Sequence, residues 1–104
     1  MLGDSISAAY GIDLEEGWVA LLAARIEQER MPYTVVNASI SGETSAGGLR
    51  RLPALLETHQ PGVVIIELGG NDGLRGYPIG QLQSNLRDMI SLSETSEAQV
   101  LLLP

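Results

Sequence analysis

Val63-Val64-Ile65-Ile66-Glu67-Leu68, closed at once by Gly69-Gly70-Asn71-Asp72, is the stretch that decides the architecture. A short, almost unbroken apolar run rich in β-branched residues suits a parallel strand covered on both faces. Gln60-Pro61-Gly62 gives the turn before it. Residues 44–59 precede that turn and read as a helix with Leu49, Leu52, Leu55 and Leu56 as its buried stripe, although Pro53 removes a backbone donor inside it. Further back, residues 33–38 (Tyr-Thr-Val-Val-Asn-Ala) form a short β-branched strand. Residues 17–30 make a helix with Trp18, Leu21, Leu22 and Ile26 on one apolar face, ended by Pro32. Downstream, a polar loop follows Gly69-Gly70, and Pro78 opens a third helix with Leu82, Leu86, Met89 and Ile90 at the helical period. Residues 98–103 close the chain as a strand. Met1-Leu2 is too short for a full strand, yet Gly3-Asp4-Ser5 reads as the turn that follows one. Strands alternating with helices predict a parallel sheet with helices on both faces, joined by right-handed crossovers.

Bulk composition narrows the function. The chain has 104 residues, 44% of them hydrophobic, which fits one globular domain over residues 1–104. Six basic residues, all Arg, stand against 13 acidic ones for a net charge of −7, which argues against a nucleic-acid partner. Arg50-Arg51 is the one adjacent basic pair and reads as a solvated helix face. There is no Cys, so disulfides, thiolate metal sites and a cysteine nucleophile are excluded. No run approaches the roughly 18 apolar residues of a membrane span, and no export leader precedes Gly3.

The chemistry gathers where the strands end. In a parallel sheet the loops after the strands share the carboxyl edge, so Ser5, Gly42 and Asn71 share it too. With strand order 2-1-3-4 the loops after the first and third strands diverge and open a crevice between Ser5 and Asn71. Ser5 offers a nucleophilic hydroxyl or an ordinary helix cap. Gly42 offers a backbone N–H unshielded by a side chain, or a turn glycine. Asn71 offers a side-chain amide donor, or part of a Gly-Gly-Asn-Asp turn. Glu67, inside an apolar strand, reads as a buried acid bonded to nearby backbone. Trp18 reads as core. No Walker-type loop or dinucleotide glycine fingerprint is present.

Taken together, Gly3-Asp4-Ser5, Gly42 and Gly69-Gly70-Asn71-Asp72 resemble the nucleophile, oxyanion-glycine and asparagine blocks of the SGNH, or GDSL-type, hydrolases. The bacterial acyl-CoA thioesterase I/lysophospholipase/arylesterase branch is the nearer resemblance. It is carried by Val36-Asn37-Ala38-Ser39-Ile40-Ser41-Gly42, by Arg51-Leu52-Pro53-Ala54-Leu55-Leu56 and by Glu67-Leu68-Gly69-Gly70-Asn71-Asp72-Gly73-Leu74-Arg75-Gly76. The resemblance implies a three-layer α/β/α, flavodoxin-like SGNH hydrolase fold. It implies Ser5 as the nucleophile, and the N–H groups of Ser5 and Gly42 with the Asn71 amide as the oxyanion hole. Asp4, Asp72, Gly73, Leu74, Arg75, Gly76 and Tyr77 would line the substrate. An acyl ester or thioester is the implied partner, no cofactor or metal is needed, and the family is often periplasmic or secreted.

One departure matters. The family's late Asp-x-x-His block has no match here, and the sole histidine, His59, ends the second helix. That position lies at the amino edge of strand 63–68, whereas Ser5 belongs to the carboxyl edge, roughly 20 Å away for six residues of strand. A general base must come within about 3 Å of the proton it takes. His59 reads instead as a helix C-terminal residue favoured by the macrodipole. The expectation is a partial domain lacking the start of its first strand and a C-terminal strand and helix, with little turnover alone. A different class of function remains open: a flavodoxin- or receiver-like binding module using Asp4 and Asp72 for a cation such as Mg²⁺, or a short pseudoenzyme that binds acyl groups.

Overall fold

The computed structural model describes residues 1–4, 7–9, 11 and 17–103. Seven elements follow one another: β1 (Leu2–Gly3), α1 (Trp18–Gln28), α2 (Ser45–His59), β2 (Val63–Glu67), α3 (Gly70–Leu74), α4 (Ile79–Thr95) and β3 (Gln99–Leu102). The strands form one parallel sheet in the order β1-β2-β3, with Leu2 opposite Ile66, Gly3 opposite Glu67, and residues 63–66 opposite 99–102.

Residues 33–38 are not a strand, which corrects the reading from β-propensity. Their backbone nevertheless runs along the free side of β1. The Met1 amino group donates to the Val36 carbonyl at 2.7 Å, Ala38 N–H to Met1 O at 2.9 Å and Ile40 N–H to Gly3 O at 3.0 Å. Met1 bonds to the residues on either side of Asn37, and the next bond lies two residues further along both segments, which is the parallel pattern. The strand order is therefore β1-β2-β3, and the segment around residues 36–40 bonds along β1 where the expected second strand would stand without being one of the strands.

One face of the sheet carries the main core. Leu2, Val64 and Ile66 from the sheet meet Leu52 and Leu56 of α2, Met89 of α4 and Ala98, with Leu49, Leu55, Leu68, Leu86 and Val100 packed around them. Each such side chain removed from water contributes about 1.5–3 kcal/mol, enough to hold two helices on a sheet of three short strands. Helix α2 starts from Thr44, whose Oγ1 accepts from the Gly47 N–H at 3.2 Å, and continues through Pro53 without interruption. The lost donor at Pro53 lies on the exposed side, while its neighbour Leu52 anchors the inner side at 2% exposure. At Gly48 the helix comes closest to the sheet. A Cβ there would stand 2.5 Å from Leu68 Cδ1 and 3.5 Å from Leu2 Cδ2.

The buried line of α1 differs from the expected stripe. Val19 is buried at 4% exposure with Leu22 and Ile26 half-buried behind it, whereas Leu21 is 58% exposed. Alanines at 20, 23 and 24 widen the apolar arc of this helix, so periodicity alone did not select its contact line. Val63 and Leu101, on the face away from α2, keep 39% and 51% of their surface exposed. No helix among the described residues is long and apolar enough to cross a membrane.

The close approach at Gly48 has a measurable consequence. Gly48→Val should lower unfolding stability by roughly 1–3 kcal/mol through overpacking against Leu68, whereas the same change at Gly80, which has open space around it, should move stability far less. Chemical denaturation of both variants checks this.

Candidate active site

Two tight backbone turns create the carboxyl edge. After β2 the chain passes Gly69 at φ +125° and enters α3 at once, replacing the polar loop expected there with a single helical turn. On the neighbouring connection Gly42 sits at φ +82°, a conformation that a Cβ would strain, and Glu43 N–H donates back to Ile40 O at 3.1 Å. Asn71 joins the two: its Nδ2 donates to Glu43 O at 3.0 Å. A side-chain amide carries two N–H donors, so this bond leaves a second to aim at a ligand. The turn is also gripped from both sides. Arg51 donates to Glu43 Oε2 at 2.9 Å and to Ala38 O at 2.7 Å, and Arg75 donates to Gly42 O at 3.4 Å. Arg51 is therefore a clamp on the glycine turn, which corrects its reading as a solvated residue.

Asp72, beside Asn71, faces inward at 2% exposure. Its Oδ1 accepts from the Ser45 N–H at 2.8 Å and its Oδ2 from the Ser45 hydroxyl at 2.7 Å. Ser45 opens α2, so the carboxylate also meets the positive end of that helix. Asn85 of α4 donates to Ser45 Oγ at 3.0 Å, and Gln81 donates to Asn85 Oδ1 at 3.1 Å. Both Asp72 oxygens are thus taken up in bracing α2, α3 and α4. That geometry works against a cation clamp built from Asp4 and Asp72, and equally against Asp72 as a wall of an open substrate groove.

A second buried cluster surrounds the turn after β1. Ser7, 1% exposed, donates its hydroxyl to Glu67 Oε1 at 2.8 Å and accepts from Trp18 Nε1 at 3.0 Å. Asn37 Nδ2 donates to Ser7 O at 2.8 Å. Glu67 thus bonds to a side chain as well as to backbone, and Trp18 is half-buried with its indole N–H engaged. Burial pushes the Glu67 carboxyl above its ordinary value of 4.5. The adjoining Asp4 carboxyl adds to the rise, while the bonds from Ser7 and from the Asp4 amide oppose it. Asp4 is itself buried at 4% exposure, and its Oδ2 lies 3.6 Å from where a Cβ on Gly70 would stand.

Ser5, expected as the nucleophile, lies outside the described residues. Its chain neighbour Asp4 and Ser7 two residues on are both in the cluster around Glu67. The structure therefore brings together Asp4, Gly42, Asn71 and Asp72 on one edge. Residues 73–77 run outward from that edge, with Leu74 at 86% and Tyr77 at 46% exposure and Ile79 just beyond at 72%. His59 stands at the opposite edge, separated by the five residues of β2, or about 16 Å. It lines an apolar cavity of about 310 Å³ together with Leu22, Ile26, Tyr33, Leu55 and Val63. None of the expected site residues lines that cavity, which is a gap between residues 33–36 and the sheet.

The sequence reading missed Ser7, Ser45 and Asn85. Asn85 did carry a signal: it interrupts the apolar stripe three residues after Leu82 and four before Met89. A polar residue on a core-facing line needs a buried partner. Ser7 and Ser45 looked like ordinary loop and cap residues, and nothing local marked them.

The family model of the GDSL-like lipase/acylhydrolase family matches residues 1–104. Esterase TesA of Pseudomonas aeruginosa is 60% identical over 103 residues, covering 99% of this chain and 51% of that protein. Thioesterase 1/protease 1/lysophospholipase L1 of Escherichia coli K12 is 48% identical, covering 99% of this chain and 48% of that protein. The crystal structure of the psychrotrophic esterase EstA from Pseudoalteromonas sp. superposes with a TM-score of 0.92 at 52% identity, covering 97% of this chain and 55% of that one. The chain thus spans about half the length of the curated relatives it matches. On a match along its full length, it belongs to the GDSL-like lipase/acylhydrolase family.

Proposed function

We propose that residues 1–104 carry the nucleophile and oxyanion portion of a single serine hydrolase domain acting on acyl esters and thioesters. The supporting observation is the bond from Asn71 Nδ2 to Glu43 O, which joins the asparagine turn to the Gly42 turn on the edge where β1 leads into Ser5. Relatives named esterase TesA and thioesterase 1/lysophospholipase L1 support the substrate class.

In this reading Ser5 Oγ attacks the acyl carbonyl carbon and its proton passes to a base. The carbonyl oxygen becomes an oxyanion held by the N–H groups of Ser5 and Gly42 and by the Asn71 amide. The thiol or alcohol leaves with a proton, and water then releases the acid from acyl-Ser5. Donors held in place before the reaction stabilise developing charge without reorganising, which makes such a hole worth several kcal/mol. The Gly42 turn is held by Arg51, Arg75 and Asn71, so its donor direction is fixed in advance. Leu74, Tyr77 and Ile79, exposed beside Asn71, offer apolar contact to an acyl chain.

The base is not His59, because it stands at the far edge of β2. The complete gene product should react with a fluorophosphonate probe at Ser5, read by peptide mass spectrometry, and Ser5→Ala should abolish that adduct. Asn71→Ala should lower kcat for a short-chain p-nitrophenyl ester by about 10²–10³-fold with little change in KM. His59→Ala should leave kcat within about twofold, since a residue some 16 Å away makes no contact with the reacting atoms. Loss of activity in His59→Ala, or a retained adduct in Ser5→Ala, would contradict the assignment.

A further inference from the structure

Glu67 is a buried acid that the proposed chemistry does not use. It sits at the last position of β2, where a parallel strand under a helix layer favours apolar side chains. It is placed opposite Gly3 in the sheet register, and Gly3 stands two residues before Ser5 in the chain. A carboxyl 9% exposed on a sheet needs a reason to be there.

Its contacts give one. On one side of Ser5 in the chain, Asp4 engages Glu67 through both its amide and its carboxyl. On the other side, the Ser7 hydroxyl donates to Glu67 Oε1 at 2.8 Å. The Ser7 hydroxyl is itself fixed by Trp18 Nε1 at 3.0 Å, and the Ser7 carbonyl by Asn37 Nδ2 at 2.8 Å. Gly3 is part of the same fit: a Cβ there would stand 2.7 Å from Ser7 Oγ, so the turn closes onto the strand with no room to spare. One carboxyl therefore grips the chain immediately before the serine and two residues after it.

We propose that Glu67 is a positioning residue for the nucleophile, acting from the floor of the sheet through Asp4 and Ser7 rather than by touching the substrate. This rests on the reading of Ser5 as nucleophile. The protonated form does the holding. A neutral Glu67 carboxyl accepts from Ser7 on one oxygen and has a proton to donate to the Asp4 side chain with the other, whereas an ionised one has none to donate. Among the described residues Asp4 is the titratable group in contact with it; α1 and residues 33–40 reach the cluster through the Trp18 indole and the Asn37 amide on Ser7, both uncharged. Desolvation and Asp4 raise the Glu67 carboxyl above 4.5, which favours the neutral form. The sign follows for stability. A carboxyl whose value is raised on folding contributes fully below 4.5 and loses that contribution as pH climbs through the raised value.

The test uses the complete gene product and compares Glu67→Gln with Glu67→Ala. Glutamine keeps an acceptor for Ser7 and a donor for Asp4 without a charge. It should retain most of the fluorophosphonate labelling rate at Ser5, whereas the alanine form, still folded by near-UV circular dichroism, should fall at least about tenfold. The ratio of parent to glutamine rates should decline as pH rises through the Glu67 titration, because only the parent loses a proton at this position. Trp18 fluorescence, assigned by difference from Trp18→Phe, should show the same pH step in the parent and none in Glu67→Gln. Equal labelling of the alanine and glutamine forms, or a rate ratio flat across pH, would overturn the proposal. Should the alanine form not fold, the parent-to-glutamine ratio decides alone. Should the parent fail to label Ser5, the functional reading falls, and the Trp18 step then decides whether Glu67 holds this turn.

Discussion

A carboxylate taken almost wholly out of water must find donors, and Asp72 finds them in a single residue. Ser45 supplies both its backbone N–H and its hydroxyl, at 2.8 and 2.7 Å. Much of the site's geometry depends on that contact. It fixes the start of α2 against α3, and Asn85 extends the same network into α4. Because Asn71 precedes Asp72 in the single turn of α3, anchoring the aspartate sets the direction of the asparagine amide. Because Thr44 caps α2 one residue before Ser45, anchoring the serine also sets the end of the Gly42 turn. Two loops that are far apart in sequence are thereby brought to one edge by one buried pair.

The arrangement separates holding from reacting. Asp72, Ser45 and Asn85 are buried, with hydrogen bonds filled by one another, while Gly42 is exposed and Asn71 half-exposed. Glu67 repeats the pattern one strand-end away, with Ser7 and Trp18 in place of Ser45 and Asn85. Around Asp72 the buried group lies beneath and the more exposed donors of Gly42 and Asn71 lie above. Such support costs burial of polar atoms, and it is stabilising only while every partner is present. Removing Asp72 would strand the Ser45 hydroxyl and N–H together, which is why a loss of one partner here exceeds the cost of an average surface change.

Much of the layout was legible from the sequence, for physical reasons. The run 63–68 read as a strand and the alternation around it predicted parallel pairing, although Val63 at its start keeps 39% of its surface exposed. Gly42, Asn71 and the position of His59 then followed from the polarity of a parallel sheet. Three features were not legible. Whether residues 33–38 form a strand depends on their pairing with β1, a property of another segment. The rotation of α1 was hidden by alanines that make several faces equally apolar. The double role of Asp72 and Glu67 depends on Ser45 and Ser7, 27 and 60 residues away in the chain. Only spatial proximity reveals such pairs, although Asn85 on an apolar stripe hinted that a buried partner existed.

The central claim is that Gly42 and Asn71 together form the anion-accepting side of a site whose nucleophile is Ser5. A crystal structure of the complete gene product carrying a phosphonate on Ser5 tests it most directly, since the phosphoryl oxygen stands where the oxyanion would form. The account predicts that oxygen within about 3 Å of both Gly42 N and Asn71 Nδ2, with Asn71 still donating to Glu43 O. A phosphoryl oxygen turned to solvent, with Gly42 and Asn71 unengaged, would contradict it.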